Sequence, residues 1–126
     1  MKKLLVSLLA VAYILPTMSI SAASVKINST NFPDKNFRNV IKDKLDKNDD
    51  GYLSSSEINA ATILHAYDRN IESAEGIKYL KNLETLYLND NPLEELDLRY
   101  NTKITRNVLT VAPNNLEIRK NIAPVL

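Results

Sequence analysis

The sequence predicts an α+β fold in which a helical unit precedes a short solenoid of leucine-containing repeats. Three observations predict it. Apolar residues recur at helical spacing up to residue 45, a run rich in side-chain oxygens follows at residues 46–57, and leucines then recur in phase with asparagines. We accordingly assign residues 24–61 to the helical unit, residues 62–116 to the repeats and residues 117–126 to a terminal tail.

The composition argues against several classes of function. The chain has 126 residues, with 16 Lys and Arg against 15 Asp and Glu, so its formal net charge is +1. This balance argues against nucleic-acid binding, which requires a basic excess or a basic stripe. The absence of cysteine rules out disulfides and, with only one histidine, argues against a structural zinc site. Two glycines are too few for a glycine-rich phosphate loop.

Residues 1–23 have the layout of a secretory signal peptide. Lys2 and Lys3 form a positive start, an apolar run covers residues 4–15, and small residues follow up to Ala23. The apolar run is too short to cross a hydrocarbon core of about 30 Å as a helix, which argues against a membrane anchor. We therefore expect a secreted, extracellular protein with no membrane span after cleavage.

Two helices are expected in the helical unit. We predict that the first begins at Pro33, because proline suits the first position of a helix, and that Asp34 complements the helix dipole there. A second, shorter helix is predicted to begin near Ser54 or Ser55. The residues expected to be buried are Phe37, Val40, Ile41 and Leu45 from the first helix, and Ile58 and Ala61 from the second.

The run between these helices resembles the calcium-binding loop of an EF-hand. Calcium takes about six to eight oxygen ligands, so such a loop turns alternate residues inward around the ion. Gly51 stands at the sixth position, where the loop needs a sharp turn, and Leu53 at the eighth is expected to pack on the core. The predicted Ca²⁺ ligands are Asp46, Asn48, Asp50, the backbone carbonyl of Tyr52, Ser54 and Glu57.

A solvated acidic turn between two helices is the alternative interpretation of this loop. It explains the acidic residues but neither the glycine at the sixth position nor Glu57 at the twelfth. A second run, starting at Asp68, begins like another calcium loop but has Ser73 where glycine is required. We therefore expect a single loop.

Leucine-rich repeats are indicated beyond residue 62. Leu83-x-x-Leu86-x-Leu88-x-x-Asn91-x-Leu93 matches the core pattern of these repeats, and residues 93–101 match most of it again. Spacings of 22 residues from Leu64 to Leu86 and 23 from Leu86 to Leu109 fit coils of about 20–29 residues. We predict three strands centred on Leu64, Leu86 and Leu109, with the segment around Leu96 on the return side.

Two groups of residues are expected inside the solenoid. An apolar series is predicted to fill the return side of the first coil, and asparagines are predicted to bond backbone groups of neighbouring coils. The apolar series is Ile71, Ala74, Ile77, Leu80 and Leu83, and the asparagines are Asn91, Asn101 and Asn114.

The strand side is the predicted partner-binding surface. Side chains alternate along a strand, so the residues that flank the central leucines point outward. Tyr67 and Tyr87 are the predicted anchors, because tyrosine combines a large contact area with a polar tip, and His65 and Asn89 adjoin them. The outward rows are Ile63, Thr85 and Val108; His65, Tyr87 and Thr110; and Tyr67, Asn89 and Ala112. Glu95, Asp97 and Arg99 on the return side are the alternative surface.

Catalysis is not expected. His65 is the only imidazole, and no motif sets a serine or an acid beside it. Glu94 and Glu95 are adjacent carboxylates, but neighbours in a strand point to opposite faces.

The order of these modules resembles a known family. N-F-P-D-K-N-F-R, the EF-hand-like loop and GIKYLKNLETLYLNDNPL together look like secreted bacterial leucine-rich repeat proteins, including the internalins, whose repeats are capped by an EF-hand-like helical unit. The resemblance covers roughly residues 26–104. It implies a non-enzymatic module that binds an unidentified protein or cell-surface ligand. Separately, a solenoid needs a cover for its open apolar end, so we expect calcium to have a structural role, fixing the angle between the two helices that form this cover. The chain departs from the family in having few repeats.

A dockerin-like module, which assembles extracellular enzyme complexes in a calcium-dependent manner, is the alternative. Dockerins carry two duplicated loops of this kind, and the single loop argues against that assignment.

Overall fold

The structure is a computed structural model that describes residues 23–108 and 117–120. The predicted signal peptide, apart from Ala23, lies outside the described residues, as do Leu109, Thr110, Ala112 and Asn114. In the described part, no helix is long and apolar enough to cross a membrane. The elements are β1 (Val25–Lys26), α1 (Lys35–Leu45), β2 (Tyr52–Leu53), α2 (Ser55–Ala60), β3 (Ile63–His65), a 3₁₀ turn (Ile77–Tyr79), β4 (Thr85–Tyr87), β5 (Glu95–Asp97), β6 (Arg106–Val108) and β7 (Glu117–Arg119).

Helix α1 begins later than predicted. Asp34 is its N-cap, with an extended backbone (φ −70°, ψ 121°) and a carboxylate oxygen that accepts the N–H of Phe37 at 2.9 Å. Pro33 lies before the cap, so the prediction that the helix begins there is wrong. The carboxylate decides the start, because it satisfies a backbone donor that the first turn leaves free. Phe37, Val40, Ile41 and Leu45 are buried, as predicted.

Helix α2 begins with a capping box. The Ser54 hydroxyl accepts the N–H of Glu57 at 3.3 Å, and the Glu57 carboxylate accepts the N–H of Ser54 at 2.8 Å. Ala61, just after the helix, is buried as predicted, whereas Ile58 is only half-buried against the core.

Two parallel sheets form the solenoid. Strands β3, β4 and β6 pair in that order, with Leu64 opposite Leu86, and the central leucines of β3 and β4 are fully buried. Strand β5 lies on the return side around Leu96, as predicted, and pairs with β7.

The third strand lies in a different register from the one predicted. Asn107, not Leu109, is opposite Leu86, so this coil measures 21 residues between strand centres instead of 23. The row predicted to join Ile63, Thr85 and Val108 is therefore wrong, and Val108 lies opposite Tyr87. The register of the third strand agrees with the packing of the apolar residue that precedes each strand. Ala61, Leu83 and Ile104 each precede a strand centre by three residues, and all three contact the core.

Residues 117–119 are part of the solenoid and not of a terminal tail. Strand β7 pairs in parallel with β5, with Ile118 opposite Leu96. Its backbone also binds the preceding coil, because the N–H of Leu98 donates to the carbonyl of Arg119 at 2.7 Å. The alternating pattern in this segment is too short to predict a strand on its own.

One hydrophobic core joins the helical unit to the repeats. Phe32, Phe37, Ile41 and Leu53 belong to the same buried cluster as Leu64, Ile71, Leu80 and Leu86. A solenoid exposes an apolar end unless another element covers it, and here the helical unit covers the first coil. We call residues 24–61 the cap from here on.

Buried asparagines connect adjacent coils, as predicted for Asn91 and Asn101. Asn91 donates to the carbonyls of Ala66 (2.7 Å) and Leu88 (3.0 Å) and accepts the N–H groups of Arg69 and Ile71, both at 3.0 Å. Asn101 donates to the carbonyls of Ile77 and Leu80 at 2.8 and 3.0 Å. These bonds satisfy backbone groups that the turns leave unpaired.

Candidate functional site

The first candidate site is the loop at residues 46–57, which follows α1 and includes the first turn of α2. Asp46 is buried at 8% exposure, and its two carboxylate oxygens accept the N–H groups of Asp50 (3.2 Å) and Gly51 (3.0 Å). Asp50 in turn accepts the N–H of Tyr52 at 2.9 Å and the amide of Asn48 at 3.1 Å. The predicted ligands at the first, third and fifth positions therefore fold back on the loop itself.

Glu57 joins the two ends of this loop. One carboxylate oxygen accepts the N–H of Lys47 at 2.8 Å, and the other accepts the N–H and the hydroxyl of Ser54 at 2.8 and 2.9 Å. The backbone N–H of Ser54 is the largest cause of a lowered pKa at Glu57. Burial opposes it, and the bond from Lys47 adds to it. The carboxylate is thus held ionised at the twelfth position of the loop, where the sequence predicts a calcium ligand.

Gly51 and Leu53 have the roles that the sequence predicts. Gly51 has φ 80°, a left-handed conformation that favours glycine, and Leu53 is fully buried. The first strand was not predicted to touch this loop, but Val25 pairs with Leu53 and the N–H of Ile27 donates to the carbonyl of Gly51 at 2.9 Å. Strand β1 therefore holds the outer side of the loop.

The donor set suits a hard cation, but its carboxylates are not gathered around one point. All the predicted ligands are oxygens, which is what calcium prefers. Among residues 23–108 and 117–120, no three acidic, histidine or cysteine side chains converge closely enough to hold a metal ion. Asp46, Asp50 and Glu57 are instead occupied by hydrogen bonds from the loop backbone.

The second candidate site is an aromatic platform on the strand side, formed by His65, Tyr67 and Tyr87. The parallel register sets His65 beside Tyr87, and their rings stack with centroids 4.7 Å apart and planes 7° apart. Tyr67 meets His65 edge to face at 6.2 Å. Tyr67 is 50% exposed and Ile63, next to the platform, is 53% exposed. Three of the four predicted partner-binding residues therefore form one surface.

Asn89, the fourth predicted residue, lies at the edge of the platform. It is half-buried, and its amide donates to the carboxylate of Asp90 at 2.7 Å. Its backbone carbonyl accepts the N–H of Asp68 at 3.0 Å, in the turn after the strands. These bonds hold Asn89 to the turn.

The return-side residues line a cavity of ≈ 400 Å³ between the first two coils. Arg99 donates to both carboxylate oxygens of Asp97 at 2.9 and 2.7 Å, and this bond lowers the pKa of Asp97 to about 2. The same pairing raises the pKa of Arg99. Two of the three alternative residues therefore neutralise each other.

Sequence reasoning missed the residues that join the cap to the first coil. The second oxygen of Asp34 accepts the N–H groups of Glu72 and Ser73 at 2.9 and 3.0 Å. Phe32 is fully buried beside Gly76, which has φ 102°, and a Cβ there would collide with Phe32. Gly76 is one of only two glycines in the chain, and this rarity was the sequence feature that could have pointed to a close contact there.

Solved structures of Listeria monocytogenes internalins have the same fold. Internalin C2 is 32% identical over 70% of this chain, with a TM-score of 0.60. The functional domain of InlJ is 23% identical over 78% of the chain (TM-score 0.59), and internalin InlF is 26% identical over 85% (TM-score 0.55). The chain spans 39%, 24% and 36% of the lengths of these three proteins.

No family model matches the sequence, and no curated protein is significantly similar to it. The structural likeness agrees with the buried leucines, the asparagine bonds between coils and the parallel strand side described above. The chain has an internalin-like leucine-rich repeat fold.

Proposed function

We propose that this protein is a secreted module that recognises a protein ligand through its aromatic platform. The observation that carries the proposal is the contact of the exposed His65 and Tyr67 with the half-buried Tyr87 on the strand side. The signal-peptide layout of residues 1–23 supports export. The internalin-like fold supports a role in recognition.

The platform suits binding for two physical reasons. Tyrosine offers a large contact area with a polar tip, and binding hot spots are enriched in it. His65 and Tyr87 also stand on paired strands, and Tyr67 contacts His65, so the rings lose little conformational freedom when a ligand binds. The platform is small, and we expect modest affinity.

We also propose that the loop at residues 46–57 binds one Ca²⁺ as a structural ion. The oxygen-only donor set, the left-handed Gly51 and the ionised Glu57 support the proposal. Coordination by Glu57 replaces its bonds to the backbone of Lys47 and Ser54, which is a cost that weakens binding. Extracellular modules of this kind bind calcium at about 10⁻⁴–10⁻³ M.

A structural role fits better than a sensor role. A calcium sensor exposes a methionine-rich groove when it opens, and this chain has two methionines, both inside the predicted signal peptide. The ion would instead fix α1 and α2 on the first coil.

Binding to surface extracts from bacterial and host cells tests the recognition proposal. The Tyr67→Ala, Tyr87→Ala double variant should lose at least about tenfold in affinity for a partner that the parent protein binds, because truncating a central aromatic costs on the order of 2 kcal/mol. Tyr100→Ala is the matched control, since Tyr100 is 58% exposed and lies at the return-side cavity.

Equal binding by the parent and the double variant, with reduced binding by Tyr100→Ala, would overturn the proposal. The recognition surface would then be the return side, around Glu95, Asp97 and Arg99.

A further inference from the structure

Strand β3 is an edge of its sheet. The sheet order is β3–β4–β6, and the bonds to β4 come from alternate residues. Thr62 accepts the N–H of Thr85 at 3.0 Å, and Ala66 donates to the carbonyl of Tyr87 at 2.9 Å. In such a parallel pair, alternate residues of a strand bond the neighbouring strand, and each residue between them directs its N–H and C=O away from it.

The backbone groups of Ile63 and His65 therefore point to the free edge of the sheet. In the described part of the chain, no loop, cap or side-chain hydrogen bond reaches them. Such an edge is a template on which another extended segment can pair. The 53% exposure of the Ile63 side chain is consistent with an uncovered edge.

A cavity of ≈ 530 Å³ lies beside this edge, between the cap and β3. Leu45, Ala61 and Ile63 contribute apolar surface to its lining. Lys44 and Lys47 also line it, both are exposed, and neither forms an ion pair with a described residue.

Glu57 is the one carboxylate among the residues that line this cavity, and its charge offsets one of the two lysines. Glu57 accepts hydrogen bonds from the backbone of Lys47 and from Ser54 with both of its oxygens. The lining therefore combines apolar surface with a net charge of +1, from two ammonium groups and one carboxylate that is already hydrogen-bonded through both oxygens.

We propose that the partner supplies an extended acidic segment, which pairs with the free edge of β3 and brings a carboxylate to Lys44 and Lys47. This inference rests on the proposed recognition function and specifies its chemistry. Main-chain bonds to Ile63 and His65 would supply affinity. Alternate side chains of the segment would lie beside the aromatic platform and in the cavity, which supplies specificity.

The lysines at the cavity favour an acidic segment of another protein over pairing with a second copy of this chain. A two-fold pairing of β3 with itself would bring the same surface from both molecules together. The segment from Thr62 to Tyr67 contains no carboxylate to meet the lysines. A basic segment would face the two ammonium groups directly, at an energetic cost.

The test uses the secreted protein and three synthetic peptides. One alternates valine and glutamate, a second has lysine in place of glutamate, and a third is the first peptide with N-methyl groups on alternate amides. The valine–glutamate peptide should slow hydrogen exchange at the amides of Ile63 and His65. The other two should bind at least about tenfold more weakly, since one has the wrong charge and the other cannot form the ladder.

Charge reversal on the protein provides the matched control. Lys44→Glu, Lys47→Glu should weaken binding of the valine–glutamate peptide by at least about tenfold, because the reversal sets like charges opposite each other. Lys78→Glu, Lys81→Glu makes the same charge change on exposed lysines that do not line this cavity, and binding should stay within about twofold. Thermal unfolding of each variant confirms that the protein is folded.

Three results would overturn the inference. They are equal binding of the lysine peptide, protection of amides outside β3 only, and protection of β3 by dimerisation without peptide. Failure here is distinguishable from failure of the proposed function. If the natural partner is lost in the Tyr67→Ala, Tyr87→Ala variant but retained by Lys44→Glu, Lys47→Glu, the platform binds and the edge does not.

Discussion

Gly76 shows how a single residue decides whether the cap fits the first coil. Its φ of 102° lies in a region that side chains with a Cβ rarely adopt, and Phe32 and the carbonyl of Asn31 leave no space for a Cβ. Gly51 also has a positive φ, of 80°, but nothing lies within 4 Å of the position of its missing Cβ. A side chain at Gly51 would therefore meet backbone strain alone, whereas one at Gly76 would meet backbone strain and a steric clash.

We predict that Gly76→Ala lowers the free energy of unfolding by about 2–5 kcal/mol, the sum of backbone strain and overpacking. Gly51→Ala should cost about 1–2 kcal/mol, because it meets only the backbone strain. Chemical denaturation with a chelator present measures both without a calcium contribution. Equal costs would mean that Phe32 does not pack against Gly76.

At the scale of elements, Asp34 ties α1 to the return side of the first coil. It caps the helix through Phe37 and binds the N–H groups of Glu72 and Ser73. Burial is the largest single influence on its pKa and raises it. Together, the backbone N–H groups outweigh burial, so the pKa is lowered from 3.8. The folded state therefore favours the ionised carboxylate.

The sign of this shift predicts a pH dependence. A lowered folded pKa contributes stability that is present above the unfolded value of 3.8 and is lost as pH falls through the folded value. Asp34→Asn should therefore destabilise the protein at pH 7, by about 1–2 kcal/mol, and less at pH 2 to 3. Urea denaturation at both pH values measures this difference. Asp43→Asn is the control, because Asp43 is exposed in the same helix and should give no comparable loss.

Sequence patterns predicted the helix and strands in which apolar residues recur at regular spacing. They missed the contacts that join segments far apart in the sequence. The buried face of α1 and the strands around Leu64 and Leu86 followed from periodicity. The third strand was misplaced because Leu109 was aligned with Leu64 and Leu86 as another leucine. The backbone pairing instead sets Asn107 opposite Leu86, and Ile104 packs on the core three residues before it.

In the candidate sites too, sequence patterns predicted what depends on repeat spacing and missed what depends on contacts between distant segments. The sequence spacing predicted that His65 and Tyr87 lie side by side on neighbouring strands, and the structure adds that their rings stack. Pairing of Val25 with Leu53 was missed, because a two-residue strand has no periodicity. The cavity with Lys44 and Lys47 was missed because it forms only when the cap meets β3.

The whole molecule should unfold as one cooperative unit. Cap and repeats share a single buried cluster, and Asp34, Gly76 and the asparagine bonds join successive segments. The proposed calcium ion lies in the cap, far along the sequence from the later coils, yet its binding should stabilise all of them. A ligand that binds only the folded state raises stability by about 2.7 kcal/mol when its concentration is a hundred times Kd.

Calorimetric unfolding of the secreted protein over a range of calcium concentrations tests this claim most directly. We predict a single transition in the parent, with a Tm that rises with calcium, because the ion binds a loop on the common core. Glu57→Gln should unfold in one transition whose Tm does not respond to calcium, since the amide cannot replace the bidentate carboxylate. Two separate transitions, or the same calcium response in the parent and in Glu57→Gln, would contradict the account.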